Sequence, residues 1–463
     1  MPHPTAPTAP EPTAPEPVGR EPAGREPESV RADEQTVRGA RGGGRPPGER
    51  SARRAAARTA VWWPVLPAVA TVLLLCWPAG HEDITAAVHV TPADVGSAVL
   101  VLCCLVAVVR ARTRLLTGRA VVVLAAPAVA FAVATATSND PATSLPGFVR
   151  YLQVFVLVPL ALVLLLRSRR DFMVVAGGVL AIAVVQGALG VQQYATGTGA
   201  SYEGQDIRAV GTFGPLDVMG MATVVAHGLI IALALGLPSA ADSSRRLRPA
   251  ALVCASLLLL PLALSFSRGA WLATAVAASA VLVLAGARLA LRALVGQRLS
   301  SITQVAAAPD RSVTDRYSLW AAARSMWRDE PVTGVGLKGF PAQRDGHASL
   351  GLSSGSDTAG AGLEFQREPL LSPHNMYLLI LSEQGLIGVT AVFGSWAALL
   401  ALGLRRLRAA RRQGRPADCG LTAVGLLTWT FVDFFYADIG GPSTLLTSIM
   451  FGLAGWWALS PAA

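Results

Sequence analysis

Residues 373–404 read PHNMYLLILSEQGLIGVTAVFGSWAALLALGL. Between Asn375 and Leu404 only Glu383 is charged. A helix rising 1.5 Å per residue needs about 20 such residues to cross roughly 30 Å of hydrocarbon. This stretch therefore predicts a membrane-spanning helix, with the imidazole of His374 just ahead of it. Bilayers tolerate ionisable groups poorly, so His374 is a candidate site residue. Asn375 follows it, and after nine intervening residues come Gly385-Leu386-Ile387-Gly388.

Similar runs fill most of the chain. They lie near 60–79, 92–109, 119–137, 148–166, 172–194, 215–237, 249–266, 269–287, 375–404, 419–439 and 443–460. The chain has 463 residues, 52% hydrophobic and 15% charged, with mean hydropathy +0.48. A soluble protein would carry about a quarter charged residues. The pattern predicts an all-α polytopic membrane protein with eleven or twelve spans and one large outer loop. Residues 1–57 are rich in Pro, Ala, Glu and Arg and cannot bury enough apolar surface to offset their ordering entropy, which predicts a disordered tail. Residues 58–298 form an N-terminal bundle, 299–373 the loop, and 374–463 the closing helices.

The net charge of +10 comes almost wholly from Arg, much of it in short clusters beside the apolar runs. That placement points to topology rather than nucleic-acid binding. Clusters at 110–119, 167–170, 245–248, 288–298 and 405–415 mark one face, and 80–91 and 138–147 the other. With the N-terminus inside, an even number of crossings should precede 405–415, yet nine runs do. Either one crossing is hidden, with the segment 285–303, interrupted by Arg288, Arg292 and Arg298, as the expected place, or one run is not a span; either repair places 299–372 outside. Cys76, Cys103, Cys104, Cys254 and Cys419 form no C-x-x-C pair, which predicts neither a disulfide framework nor a metal site.

The outer face holds the chemistry. Residues 313–328 have the spacing of an amphipathic helix, capped by Ser312 or Thr314, with Arg316, Leu319, Trp320, Ala323 and Trp327 on one stripe. The Trp residues predict a helix lying on the membrane surface, with Arg316 toward lipid headgroups. Next comes Pro331-Val332-Thr333-Gly334-Val335-Gly336-Leu337-Lys338-Gly339-Phe340. Its G-x-G-x-x-G lacks a βαβ context, so it is a glycine turn holding the loop rather than a dinucleotide site. Residues 344–370 are Gly- and Ser-rich, which predicts flexibility. Arg268 lies in Ser267-Arg268-Gly269-Ala270, between two apolar runs, and Arg208 precedes Gly211-Thr212-Phe213. Guanidinium groups bind phosphates bidentately, and His takes a proton from a hydroxyl near neutral pH. Together they suit transfer from a lipid-linked diphosphate to an acceptor hydroxyl. Glu383 and Asp433 are carboxylates that either orient His374 or pair with an Arg; pairing is the expectation for Asp433.

At these residues the chain resembles the O-antigen ligase and polymerase superfamily of membrane glycosyltransferases. Ser267-Arg268-Gly269-Ala270, Arg316-Tyr317-Ser318-Leu319-Trp320, the turn from Pro331 to Phe340, and His374-Asn375 with Gly385-x-x-Gly388 follow its motifs in order, covering about 260–390. Arg208 with Gly211-Thr212-Phe213 resembles a further, weaker motif; Asp217 stands where the family usually has Asn. The resemblance implies twelve spans, cytoplasmic termini and a GT-C-type transferase with neither metal nor cofactor. It implies an undecaprenyl-diphosphate-linked glycan as donor, held by Arg268, Arg316 and Arg208, and His374 as the base that activates a glycan, lipid or protein acceptor. Asn375, Glu383, Gly385, Gly388, Gly334 and Gly336 would support the site. A polymerase extending lipid-linked repeats, a transporter of the lipid-linked glycan without chemistry, and a silent scaffold remain as alternatives at this stage.

Overall fold

The computed structural model describes residues 65–77, 90–111, 116–202, 208–214, 217, 219–237, 247–287, 311–349, 352, 356–360, 363–368, 370–441 and 443–460. The expected tail at 1–57 and the expected crossing at 285–303, beyond Ala287, lie outside these residues. Each apolar run carries a helix. In chain order these are α1 (Leu66–Leu74), α2 (Pro92–Ala111), α3 (Gly118–Ala136), α4 (Pro141–Leu165), α5 (Arg169–Thr196), α6 (Gly220–Gly236), α7 (Leu247–Leu264) and α8 (Arg268–Ala285). Two loop helices follow, α9 (Arg311–Asp329) and α10 (Phe340–His347), and then α11 (Met376–Arg412), α12 (Asp418–Asp433) and α13 (Thr444–Leu459). Seven of the described helices are long and apolar enough to cross a bilayer: α2, α3, α4, α5, α7, α8 and α11. The chain is a helical, multi-pass membrane protein.

The described residues of the large loop carry secondary structure. They contribute α9, α10 and two strands, β2 (Ser356–Gly360) and β3 (Leu363–Glu368), which pair antiparallel. A short strand, β1 (Ala200–Tyr202), joins the edge of β2, so the small sheet runs β1-β2-β3 and ties the α5–α6 connection to the loop. The loop helix α9 begins at Arg311, ahead of both expected caps. Its apolar stripe does not lie on lipid: Leu319, Ala322, Ala323 and Met326 are buried, and α9 packs on α10 and α11. Burying a stripe against protein satisfies the same pattern that a membrane surface would.

The fold's most informative irregularity lies inside α11. Gly385 has φ 58° and ψ −157°, a backbone region that only glycine occupies readily, and it splits the helix into two halves. Breaking a helix frees amides and carbonyls that must find partners in an apolar setting. The glycine turn supplies them. The amides of Leu386 and Ile387 donate to the carbonyls of Pro331 and Val332, at 3.0 and 3.1 Å. The amides of Val335 and Gly336 donate to the carbonyls of Ser382 and Glu383, at 2.9 and 3.0 Å. The two backbones approach closely enough to exclude side chains. A Cβ on Gly334 would lie 2.4 Å from the amide of Gln384, and one on Gly385 2.4 Å from the carbonyl of Val332.

Around this interlock, Trp396 of α11 stacks with Phe431 of α12 and Phe451 of α13, and Phe155 of α4 packs on both Trp396 and Phe451. Such aromatic contacts fix helix positions where lipid competes equally for apolar surface. Gly385→Ala should therefore destabilise the protein by about 2–4 kcal/mol, combining backbone strain and overpacking. Gly394→Ala, where a Cβ meets open space, should leave thermal unfolding in detergent unchanged. Equal melting midpoints for the two variants would contradict the interlock.

Candidate functional site

The N-terminus of α11 and the loop that follows α12 organise one end of the bundle. Met376 donates its amide to the carbonyls of Phe434 and Ala437, at 2.9 and 3.1 Å. Asn375 caps α11 through its side-chain oxygen, which accepts from the amide of Leu378 at 3.0 Å, and its side-chain nitrogen donates to the carbonyl of Phe435 at 3.1 Å. Tyr377 adds a hydrogen bond from its hydroxyl to the carbonyl of Phe431 at 2.6 Å. With both neighbours fixed, His374 is held in the left-handed region at φ 47°. That conformation is uncommon for a residue with a side chain and is retained where surrounding contacts over-determine it.

The same loop meets the other motifs. A Cβ on Gly269 would lie 3.2 Å from the Cβ of Tyr436, which brings the Ser267-Arg268-Gly269 turn to this end of the bundle. Ser267 caps α8 by accepting from the amide of Ala270 at 3.2 Å, and Arg268 stands exposed at the first helical position. The amide of Ala209 donates to the carbonyl of Leu264 at 3.2 Å, which sets the half-buried Arg208 beside the same turn. Two glutamines of α5 hold the segment after Arg208. Gln193 accepts from the amides of Val210 and Gly211, and Gln186 accepts from the amide of Thr212. Asp217 reaches across to the start of α13, where its carboxylate accepts from the amide of Ser443 at 2.9 Å. Burial pushes the Asp217 carboxyl up from its ordinary value, opposed by the amides of Ser443 and Gly220.

The loop helix brings in Arg316. Trp320, one turn further along α9, donates its indole N–H to the carbonyl of Pro373 at 2.9 Å. Arg316, half-buried, therefore lies toward His374 rather than toward lipid headgroups, within electrostatic reach of His374 and of Asp433. Burial lowers the proton affinity of the His374 imidazole below its ordinary value. Arg316 acts in the same direction and the carboxylate of Asp438 opposes both. The neutral, proton-accepting form is thereby favoured near neutral pH.

Among the expected residues, His374, Asn375, Arg316, Arg268 and Arg208 share this end of the bundle. Glu383 does not face His374. Its carboxylate accepts from the amide of Phe340 at 3.3 Å and from the hydroxyl of Tyr151 at 3.4 Å, so it anchors the far end of the glycine turn. Gly334, Gly336 and Gly385 serve the interlock, and Gly388 lets the side chain of Gln384 fold over the second half of α11. Sequence reasoning missed Asp438. One oxygen of its carboxylate is buried without a hydrogen-bond partner, and its charge acts on His374 and Asp433. The available signal was its place in Ala437-Asp438-Ile439-Gly440-Gly441, an acidic turn between apolar runs.

Residues 222–393 match the family model described as O-antigen ligase (Wzy_C), a stretch that contains Arg268, Arg316 and His374 but neither Arg208 nor Asp438. No curated protein matches the chain. The matched region, the helical membrane architecture and the shared end of the bundle agree: over residues 222–393 the chain is similar to the O-antigen ligase family, which supports a membrane glycosyltransferase type of function.

Proposed function

We propose that the chain moves a glycan from a polyprenyl diphosphate, undecaprenyl diphosphate in chemistry, to an acceptor hydroxyl at the extracytoplasmic face of the plasma membrane. The observation that supports this most is the convergence of His374 with Arg316, tied through the hydrogen bond from Trp320 to Pro373, at the end of the bundle that also carries Arg268 and Arg208. In this reading His374 takes the proton of the acceptor hydroxyl. The hydroxyl oxygen attacks the anomeric carbon of the donor sugar, and the bond from that carbon to the diphosphate oxygen breaks. The departing diphosphate gains negative charge, which Arg316, Arg268 and Arg208 stabilise as it develops. The protein supplies base and counter-charge from its own side chains, so no step calls for a metal or cofactor.

The N-terminus is cytoplasmic in this proposal, because the Arg-rich connections then face inside. The acceptor is a lipid, protein or glycan, and the His-Asn signature with its Gly-x-x-Gly favours a ligase over a polymerase of lipid-linked repeats. A transporter would place its polar groups along a mid-bilayer path. Here the candidate residues gather at one end, which favours chemistry over transport.

Replacing His374 with Ala should cut the transfer rate by at least ~100-fold, the usual contribution of a positioned base, in an assay with purified protein, a defined undecaprenyl-diphosphate glycan and candidate acceptors. Transfer at the normal rate would exclude the general-base role. Asp438 acts in this scheme as a positioning residue that favours the imidazolium formed on proton abstraction. Its removal lowers the His374 proton affinity further, because the carboxylate is the group that raises it. Asp438→Asn should accordingly shift the acidic limb of the pH–rate profile to lower pH while reducing the plateau rate. An unshifted limb, or a shift to higher pH, would contradict that role.

A further inference from the structure

A groove of about 470 Å³ lies between α3 and α11, lined by Gly118, Arg119, Val122, Val123, Ala398, Ala401, Leu402 and Arg405. The helices run antiparallel here and are pinned at one side of the groove, where the hydroxyl of Ser395 donates to the carbonyl of Val123 at 2.6 Å. Ala398 and Ala401 supply small residues, and Val122 is 67% exposed. Two guanidinium groups, Arg119 and Arg405, are present in an otherwise apolar lining. Arg405 is roughly 40 Å along α11 from Met376 at 1.5 Å per residue, so the groove belongs to the membrane face opposite His374.

The surrounding arginines make the contrast informative. Arg406 donates to the carbonyls of Trp457 and Ser460, the former at 3.1 Å, and Arg411 donates to the carbonyl of Ala285 at 3.0 Å. Those side chains cap helix ends within the protein. Arg119 and Arg405 are exposed, and among the described residues neither makes an ion pair or hydrogen bond through its guanidinium. They stand beside the first turn of α3, whose N-terminus adds partial positive charge. An apolar cleft between membrane helices with paired cations at its headgroup end matches one occupant in both shape and charge: an anionic phospholipid, acyl chains along Val122 and Leu402, phosphate between the two guanidinium groups.

We propose that this groove is a specific binding site for an anionic phospholipid, separate from the transfer site. The test uses the full-length protein, delipidated in mild detergent, with bound lipid counted by native mass spectrometry. Phosphatidylglycerol should bind the wild type at least tenfold more tightly than phosphatidylcholine. The Arg119→Gln/Arg405→Gln double variant should lose at least tenfold of its phosphatidylglycerol affinity and keep its weak phosphatidylcholine binding. Val122→Trp, which fills the cleft and leaves both charges, should lower phosphatidylglycerol binding as well, and stands as the test should the double variant fail to fold. Inorganic phosphate at equal concentration should not displace the lipid. Equal affinity for the two lipids in the wild type, unchanged phosphatidylglycerol binding in the variants, or displacement by phosphate alone would each overturn the site.

Discussion

A break in a membrane helix leaves peptide groups that neither water nor lipid can satisfy at low cost, and this constraint organises the end of the protein that carries the candidate site. At Gly385 the break exposes backbone groups to which the turn from Pro331 to Gly336 responds as a complementary edge. Each such group left unpaired would cost roughly 1–3 kcal/mol, so turn and helix are obligatory partners. The consequence reaches the site through the chain itself. The turn directly follows α9, so fixing the turn on α11 also fixes where α9 can lie, and α9 carries Arg316. The first half of α11 carries His374 at its start. One backbone interlock thus sets the relation between a candidate base and a candidate phosphate ligand that are far apart in sequence.

The loop after α12 supplies the second anchor. Its carbonyls accept from Met376 and from the side chain of Asn375, its Tyr436 lies against Gly269, and its far end is tied to Asp217. Such a segment is irregular backbone at the end of a bundle, tolerated because nearly every polar group is paired. The carboxylate of Asp438 is the exception, with one buried oxygen left unpartnered. An unpaired acceptor is expensive in a purely structural role, and it faces a site where a proton is proposed to move.

Much of this was legible from the residues alone. The apolar runs are long and uniform, so hydropathy located the helices but not all their ends, α4 starting at Pro141 rather than 148 and α11 running on to Arg412 rather than 404, and the spacing of Leu319, Trp320 and Ala323 revealed α9. Local pattern did not say what the stripe packs against, because lipid and protein present the same apolar surface. The stripe alone therefore fits a membrane surface as well as it fits α11. The strands at Ser356–Gly360 and Leu363–Glu368 escaped for the opposite reason: they gain stability from pairing with each other and with Ala200–Tyr202, a partner distant in sequence. Glu383 had the chemistry of a site residue and the position of a structural one, and only its hydrogen bonds to Phe340 and Tyr151 decide between them. Asp438 had no motif around it, and its relevance comes wholly from where the loop folds.

A cryo-EM structure of the protein with an undecaprenyl-diphosphate glycan bound would test the proposed placement of donor and base most directly. Diphosphate density is expected between Arg316 and Arg268, with the anomeric carbon of the first sugar facing the imidazole of His374. Diphosphate seated at the opposite end of the bundle, or an imidazole turned away from the sugar, would contradict it.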